Sequence, residues 1–165
     1  MAVTGCGTLV FNSVSTFTGG LSVGGTATVK VNEGCTPGSG ATTVNSGATL
    51  EVAESGTVAL GGDLTLKAGA ALGFNYTTRN APVLDLTGKT VTFEEGETTN
   101  VVVKILATAD KRPLAGENVL TCGGNFSEDV ALTLAAPDWV KSVYVNDAGN
   151  IAIDVKPIGT RIILR

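Results

Sequence analysis

Residues 47–74 read GATLEVAESGTVALGGDLTLKAGAALGF, from Gly47 to Phe74. Two glycine-led, alternating segments stand out in it: GATLEV at Gly47–Val52 and GAALGF at Gly69–Phe74. Related segments flank them, GTLVF at Gly7–Phe11, GTATVKV at Gly25–Val31 and GKTVTF at Gly88–Phe93. The last two apolar alternating positions of each segment form a ladder: Leu9/Phe11, Val29/Val31, Leu50/Val52, Leu72/Phe74 and Val91/Phe93, with steps of 20, 21, 22 and 19 residues. A near-constant period with small drift is the signature of a solenoid.

A second ladder precedes it, through Leu21/Val23, Val44, Leu64/Leu66 and Leu84/Leu86. Alternation at period two sends one side chain inward and the next outward. A single such coil cannot bury its apolar face, whereas stacked coils share one continuous core. The sequence therefore predicts an all-β chain, a single-stranded parallel β-helix of repeats of 19–22 residues over residues 1–106. After Ala107 the repeat fades. Two alternating strands, Lys141–Val145 and Ile151–Val155, flank NDAGN and predict a β-hairpin, so residues 107–165 read as a carboxyl-terminal β cap. Trp139, the single tryptophan, is expected to plug that end. The amino-terminal coil shows no equivalent cap, leaving an edge that continues an upstream β-helix or self-associates.

Composition excludes several classes. Of 165 residues, 16 % are charged and 43 % hydrophobic, which opposes disorder. The net charge of −4 and scattered lysines lack the positive footprint that nucleic acid requires. No apolar run approaches the ~20 residues of a membrane helix. Met1-Ala2-Val3 leads straight into the first repeat without a signal peptide, so the expectation is a mature fragment or part of a longer reading frame. The three cysteines fit no metal motif, and the odd count leaves one thiol unpaired. Cys6 and Cys35 are the one candidate disulfide; three small, mostly buried thiols are the favoured reading.

Two turn-rich stretches interrupt the coils. Glu33–Gly40 is expected to bulge as a corner insertion, and Asn75–Pro82 as a second excursion. Glu94–Asn100 reads as an acidic turn, and Pro157–Arg165 as a last apolar run.

The run GTLVF…TFTGGLSVGGTATVKV resembles the autotransporter-associated β-strand repeat of bacterial surface proteins. The matching residues are Gly7-Thr8-Leu9, Phe17-Thr18-Gly19-Gly20 and Val23 through Val31; later coils match only as Gly-x-x-Leu/Val strands. The resemblance covers about the first 60 % of the chain. It implies a right-handed helix acting as a secreted passenger, stalk or adhesin segment, extracellular or at the cell surface. No membrane β-barrel translocator follows the repeats, a departure from that pattern.

Catalytic signals are sparse. The absence of histidine removes Ser-His-Asp and Cys-His systems and histidine-bound zinc. Thr87-Gly88-Lys89-Thr90 mimics the end of a phosphate loop, but Val83 occupies the place of its first glycine. Carboxylates are the remaining candidates, since glycoside hydrolysis needs two of them roughly 5–9.5 Å apart. Asp63 and Asp85 lie one repeat apart, with Lys67, Arg79 and Lys89 nearby in sequence; solubilising charges on the outer face are the favoured reading. Tyr76 and Arg79, placed in the second loop, are candidate sugar contacts. Asn146–Asn150 resembles part of a calcium loop without its terminal glutamate and reads as a turn. Threonine ranks suggest an ice- or polysaccharide-binding face, broken at Lys30, Glu51 and Lys67. Asn75-Tyr76-Thr77 and Asn125-Phe126-Ser127 match glycosylation sequons.

The leading expectation is a non-enzymatic structural or adhesive β-helix that needs no cofactor or metal. Its expected partners are a surface polysaccharide, a host or cell-surface ligand, or another copy end to end. The alternatives are a carbohydrate-active β-helix, as binder, lyase or glycosidase, and a self-assembling fibre subunit.

Overall fold

A computed structural model describes residues 1–93, 100–124, 126 and 130–159. The acidic turn before Asn100, Asn125 and Ser127 of the second sequon, and most of the final apolar run lie outside them.

The chain winds as stacked coils. The first holds β1 (Ala2–Val3) and β2 (Thr8–Phe11), and the second β3 (Leu21–Val23) and β4 (Thr28–Val31). The third holds β5 (Thr42–Val44), β6 (Thr49–Val52) and β7 (Gly56–Ala59). The fourth holds β8 (Leu64–Leu66), β9 (Ala71–Tyr76) and β10 (Pro82–Asp85). The fifth begins with β11 (Val91–Phe93) and β12 (Asn100–Ala107). A short 3-10 turn at Ala109–Lys111 leads to β13 (Gly116–Val119), β14 (Thr121–Cys122) and β15 (Ala131–Ala135). The chain closes with β16 (Val140–Val145) and β17 (Ile151–Val155).

Three parallel sheets form the walls. The five-stranded sheet runs β1-β3-β5-β8-β11, the six-stranded one β15-β12-β9-β6-β4-β2, and a three-stranded one β14-β10-β7. This is a parallel β-helix. The antiparallel sheet β13-β17-β16 stands at its carboxyl end, with the expected hairpin over Asn146–Asn150. Parallel stacking continues past residue 107, because β14 pairs with β10 and β15 with β12.

Alternation dictates the core. In β3, β5 and β8 the first and last residues point inward and are buried, as are Val29, Val31, Leu50, Val52, Leu72 and Phe74 of the facing sheet. Each fully buried Leu or Phe contributes roughly 1.5–3 kcal/mol of transfer free energy. The short corner between the two large sheets needs glycine at position 25. Gly25 has φ +67°, and a Cβ there would lie 2.6 Å from the Gly5 carbonyl oxygen of the coil below.

The register corrects both ladders at their last step. Val103 and Ile105 of β12, not Val91 and Phe93, stack on Leu72 and Phe74. Val91 and Phe93 stack on Leu64 and Leu66, in the other sheet. Leu84 belongs to the third wall, over Val58. The third and fourth coils each carry an added strand, so the fixed period breaks there.

The stretch Glu33–Gly40 does not bulge. Cys35, Pro37 and Gly38 are buried, and the irregular arcs stack like the strands. Ser15 N donates to Thr36 O at 3.0 Å, and Ser39 N to Phe17 O at 3.1 Å. Backbone groups in an arc have the same need for partners as those in a strand, and the neighbouring coil supplies them.

The carboxyl end is closed. Ile151 and Ile153 are fully buried, and Trp139 is 7 % exposed. Leu120 N donates to Ile151 O at 2.9 Å, and Ile151 N donates to the buried Thr121 Oγ1 at 2.7 Å. The cap is thus hydrogen-bonded to the strand that ends the third wall. Trp139 meets Tyr76 edge-on, with centroids 5.8 Å apart.

Candidate functional site

The register builds one repeated polar feature on the outer surface. On the five-stranded sheet the middle residue of each of the four three-residue strands points outward. Ser22, Thr43, Thr65 and Thr92 therefore fall into one file, each directly over the last. The four hydroxyl-bearing residues are partly or fully exposed and spaced by about one strand separation, ~4.8 Å. Asn45 Nδ2 donates to Ser22 Oγ at 3.1 Å. The threonine ranks drawn from sequence mixed both walls. On the six-stranded sheet the file Thr8–Thr28–Thr49 stops at Ala71 and Val102 and resumes at Thr133.

The adjoining outward file on that sheet is charged: Val10, Lys30, Glu51, Gly73, Lys104, Ala135. Lys30 Nζ lies 2.9 Å from Glu51 Oε1. Lys104 Nζ reaches across β9 to Thr49 Oγ1, also at 2.9 Å. Glu51 packs against Gly73, where a Cβ would sit 3.0 Å from its Cγ. With neighbours on both sides, Glu51 is 4 % exposed although it is on an outer face. This file is an internally paired structural girdle.

The proposed carboxylates do not share a wall. Asp63 precedes β8, and its Oδ1 accepts the Thr90 amide at 2.9 Å. Asp85 ends β10, and its Oδ1 accepts the Thr87 amide at 2.8 Å. Hydrogen bonds from the Thr87 side chain and backbone, with a smaller contribution from the Lys89 charge, hold the Asp85 carboxyl below its usual range. Asp85 thus closes a local turn, and Asp63 ties one coil to the next. Lys89 Nζ donates to Gly61 O at 3.0 Å.

Tyr76 is not in the second loop. It is the last residue of β9 and 1 % exposed, because the strand's alternation carries it inward beneath Trp139. Burial pushes its hydroxyl far above the ordinary tyrosine value. Residues 77–80, including Arg79, are exposed and form the true excursion, tied back by Ser55 through bonds from the Thr77 and Thr78 amides. Asn75 Nδ2 donates to Ala53 O at 2.9 Å.

All three cysteines are free thiols: Cys6 exposed, Cys35 buried and Cys122 intermediate. The candidate Cys6–Cys35 bridge is not formed, because the two occupy different corners, and the favoured reading of free thiols holds, although only Cys35 is buried. Cys6 lies between β1 and β2, and Cys35 follows β4. Among the described residues no three cysteine or acidic side chains converge to hold a metal.

Sequence reasoning also passed over an open recess on the cap, lined by Glu117, Tyr144, Val145, Asn146, Asp147 and Ala148. Asn146 Nδ2 donates to Glu117 Oε1 at 2.9 Å. Partial burial, then the nearby Glu117 and Asp154 charges, raises the Tyr144 hydroxyl above its ordinary value. The recess unites strands β13 and β16, which only the antiparallel pairing through β17 brings together.

No family model, curated protein or solved structure matches this chain.

Proposed function

We propose that this chain is a non-enzymatic, extracellular structural and adhesive segment of a bacterial surface or secreted protein, passenger- or stalk-like as its repeat resemblance implies. The reading is carried by the outward file Ser22–Thr43–Thr65–Thr92. A row of hydroxyls at strand spacing on a stiff wall suits a partner that is itself periodic and hydroxyl-rich, such as a surface polysaccharide. Rigid elements present such contacts with little ordering cost. The exposed Arg79 loop and the Tyr144 recess add non-repeating polar groups at which specificity can reside. The carboxylates support binding over cleavage. Asp63 and Asp85 are both engaged as acceptors of backbone amides, from the next coil and from a local turn, and they lie on different walls.

The test is a pull-down against insoluble and soluble polysaccharides, with reducing ends and unsaturated products assayed in the same tubes. Binding without products, abolished by Thr43→Lys/Thr65→Lys, is the expected result. Product release would overturn the non-enzymatic reading. Failure to bind any polymer would remove the adhesive part and leave a spacer.

A further inference from the structure

The cap sheet breaks a pairing rule on its outer face. Glu117 of β13 stands directly opposite Asp154 of β17. Like charges in that position repel across the two strands. Lys141 of β16 offsets one of them, at 3.3 Å from Asp154 Oδ2. Asp147, in the turn after β16, is exposed and adds a third carboxylate. Among the described residues neither Glu117 nor Asp147 has an ion-pair partner. Both line the recess beside Tyr144, a space of about 420 Å³. Small-molecule sites commonly hold about 300–1,000 Å³.

The lining of the recess defines the chemistry of its occupant. Two unpaired carboxylates repel an acidic sugar and attract a cation. Among the described residues no three acidic side chains converge to hold a metal ion. A protonated primary amine is less exacting, because it carries three donors on one charge and needs no closed shell of ligands. Tyr144 suits the same group. Bonds to the Glu117 and Asp154 carboxylates fix its hydroxyl end. Its ring attracts a cation across its face and offers an apolar body to the carbon–hydrogen face of a sugar. Asn146 Nδ2 gives one proton to Glu117 at 2.9 Å and keeps a second for a sugar hydroxyl.

We propose that the Tyr144 recess binds a protonated amino-sugar residue of the partner polysaccharide, with its ammonium between Glu117 and Asp147 and its ring against Tyr144. The inference rests on the polysaccharide reading and narrows it to polymers that carry free amines. The hydroxyl file meets the repeating hydroxyls, and the recess selects the charge. File and recess stand on different sheets, so each can be removed without the other. A lysine side chain offers the same ammonium without the sugar ring, and is the competing occupant.

The test is calorimetric titration of the 165-residue chain with three oligosaccharides of one length: a glucosamine oligomer, its N-acetylated counterpart and a neutral glucan. The glucosamine oligomer is expected to bind about tenfold or more tightly than the other two, the scale of a charge-assisted hydrogen bond. Added salt should shrink that advantage, and the Tyr144 ring resonances should shift on binding. Glu117→Gln/Asp147→Asn, at two exposed positions, should erase the advantage and leave neutral glucan binding unchanged. Equal binding of the three oligomers, or an amine preference that survives the double substitution, would overturn this inference and leave the polysaccharide reading standing. A lysine peptide that binds the recess more tightly than the glucosamine oligomer would overturn it in favour of a basic protein partner. Failure of every saccharide to bind would overturn both readings.

Discussion

The rings of Tyr76 and Trp139 meet at 85°, and each buries a polar atom, Tyr76 Oη and Trp139 Nε1, that has no hydrogen-bond partner among the described residues. The contact joins the coil end of β9 to the cap, so it transmits stability between them. Trp139→Ala should cost about 3–5 kcal/mol, the range for a large buried aromatic, and urea unfolding should report it as a lower midpoint.

Tyr76→Phe should behave oppositely. A buried hydroxyl without a partner carries a desolvation cost, so its removal should be neutral or stabilising by up to ~1 kcal/mol. The sign with pH follows from its raised value. The folded protein holds the Tyr76 proton more tightly than the unfolded chain, so that stabilisation is present below the unfolded tyrosine pKa near 10 and fades as pH rises above it. Alkaline melts should therefore fall more steeply for the native chain than for Tyr76→Phe, with Tyr144 accounting for part of the residual slope.

Glu51 depends on Lys30. Lys30→Ala leaves a nearly buried carboxylate without its ion-pair partner and should cost about 1–3 kcal/mol. Replacing Glu51 and Lys30 together by Leu and Met should recover most of that loss, because the desolvation of both charges disappears. A double-mutant cycle in thermal denaturation measures the difference.

Asp85 makes acid sensitivity local. Its folded pKa is lowered, so its contribution is present above the unfolded value and is lost as pH falls through the folded one. The carboxylate is partly exposed, so Asp85→Asn should cost no more than ~1 kcal/mol at neutral pH. It should also flatten the acid limb of the stability profile.

Gly25→Ala and Gly88→Ala separate conformation from contact. Both glycines have positive φ, +67° and +71°, but only Gly25 has a backbone oxygen 2.6 Å from a new Cβ. The conformational cost of roughly 1–2 kcal/mol applies to both, and Gly25→Ala should lose measurably more.

Much of the helix was legible because Gly-corner and alternation signals repeat faithfully for four coils. Leu9, Val29, Leu50 and Leu72 stack as their spacing predicts. The fifth step failed for a physical reason. The next residue in that column, Val103, stands 31 positions after Leu72. Between them come the loop tied to Ser55, the added strand β10 and β11, and no local pattern distinguishes a third wall from the other two. Tyr76 was misplaced because NYTTRNAP looks like a loop throughout, whereas alternation in β9 extends two residues into it. The hydroxyl file was hidden for the same reason as the fifth step, since Thr92 sits over Thr65 only once β11 is assigned to the correct wall. The Tyr144 recess depends on β13 joining the terminal hairpin across long sequence separations, and no motif marks it.

The central claim is that stacked coils and cap form one rigid unit, which amide hydrogen exchange on the full chain tests most directly. Interior amides of β4, β6, β9 and β12 should share the slowest exchange with those of β17, opening together in one cooperative event. Exchange in β17 that is orders of magnitude faster than in β9 would contradict it, and would make the cap a separate unit resting on the helix.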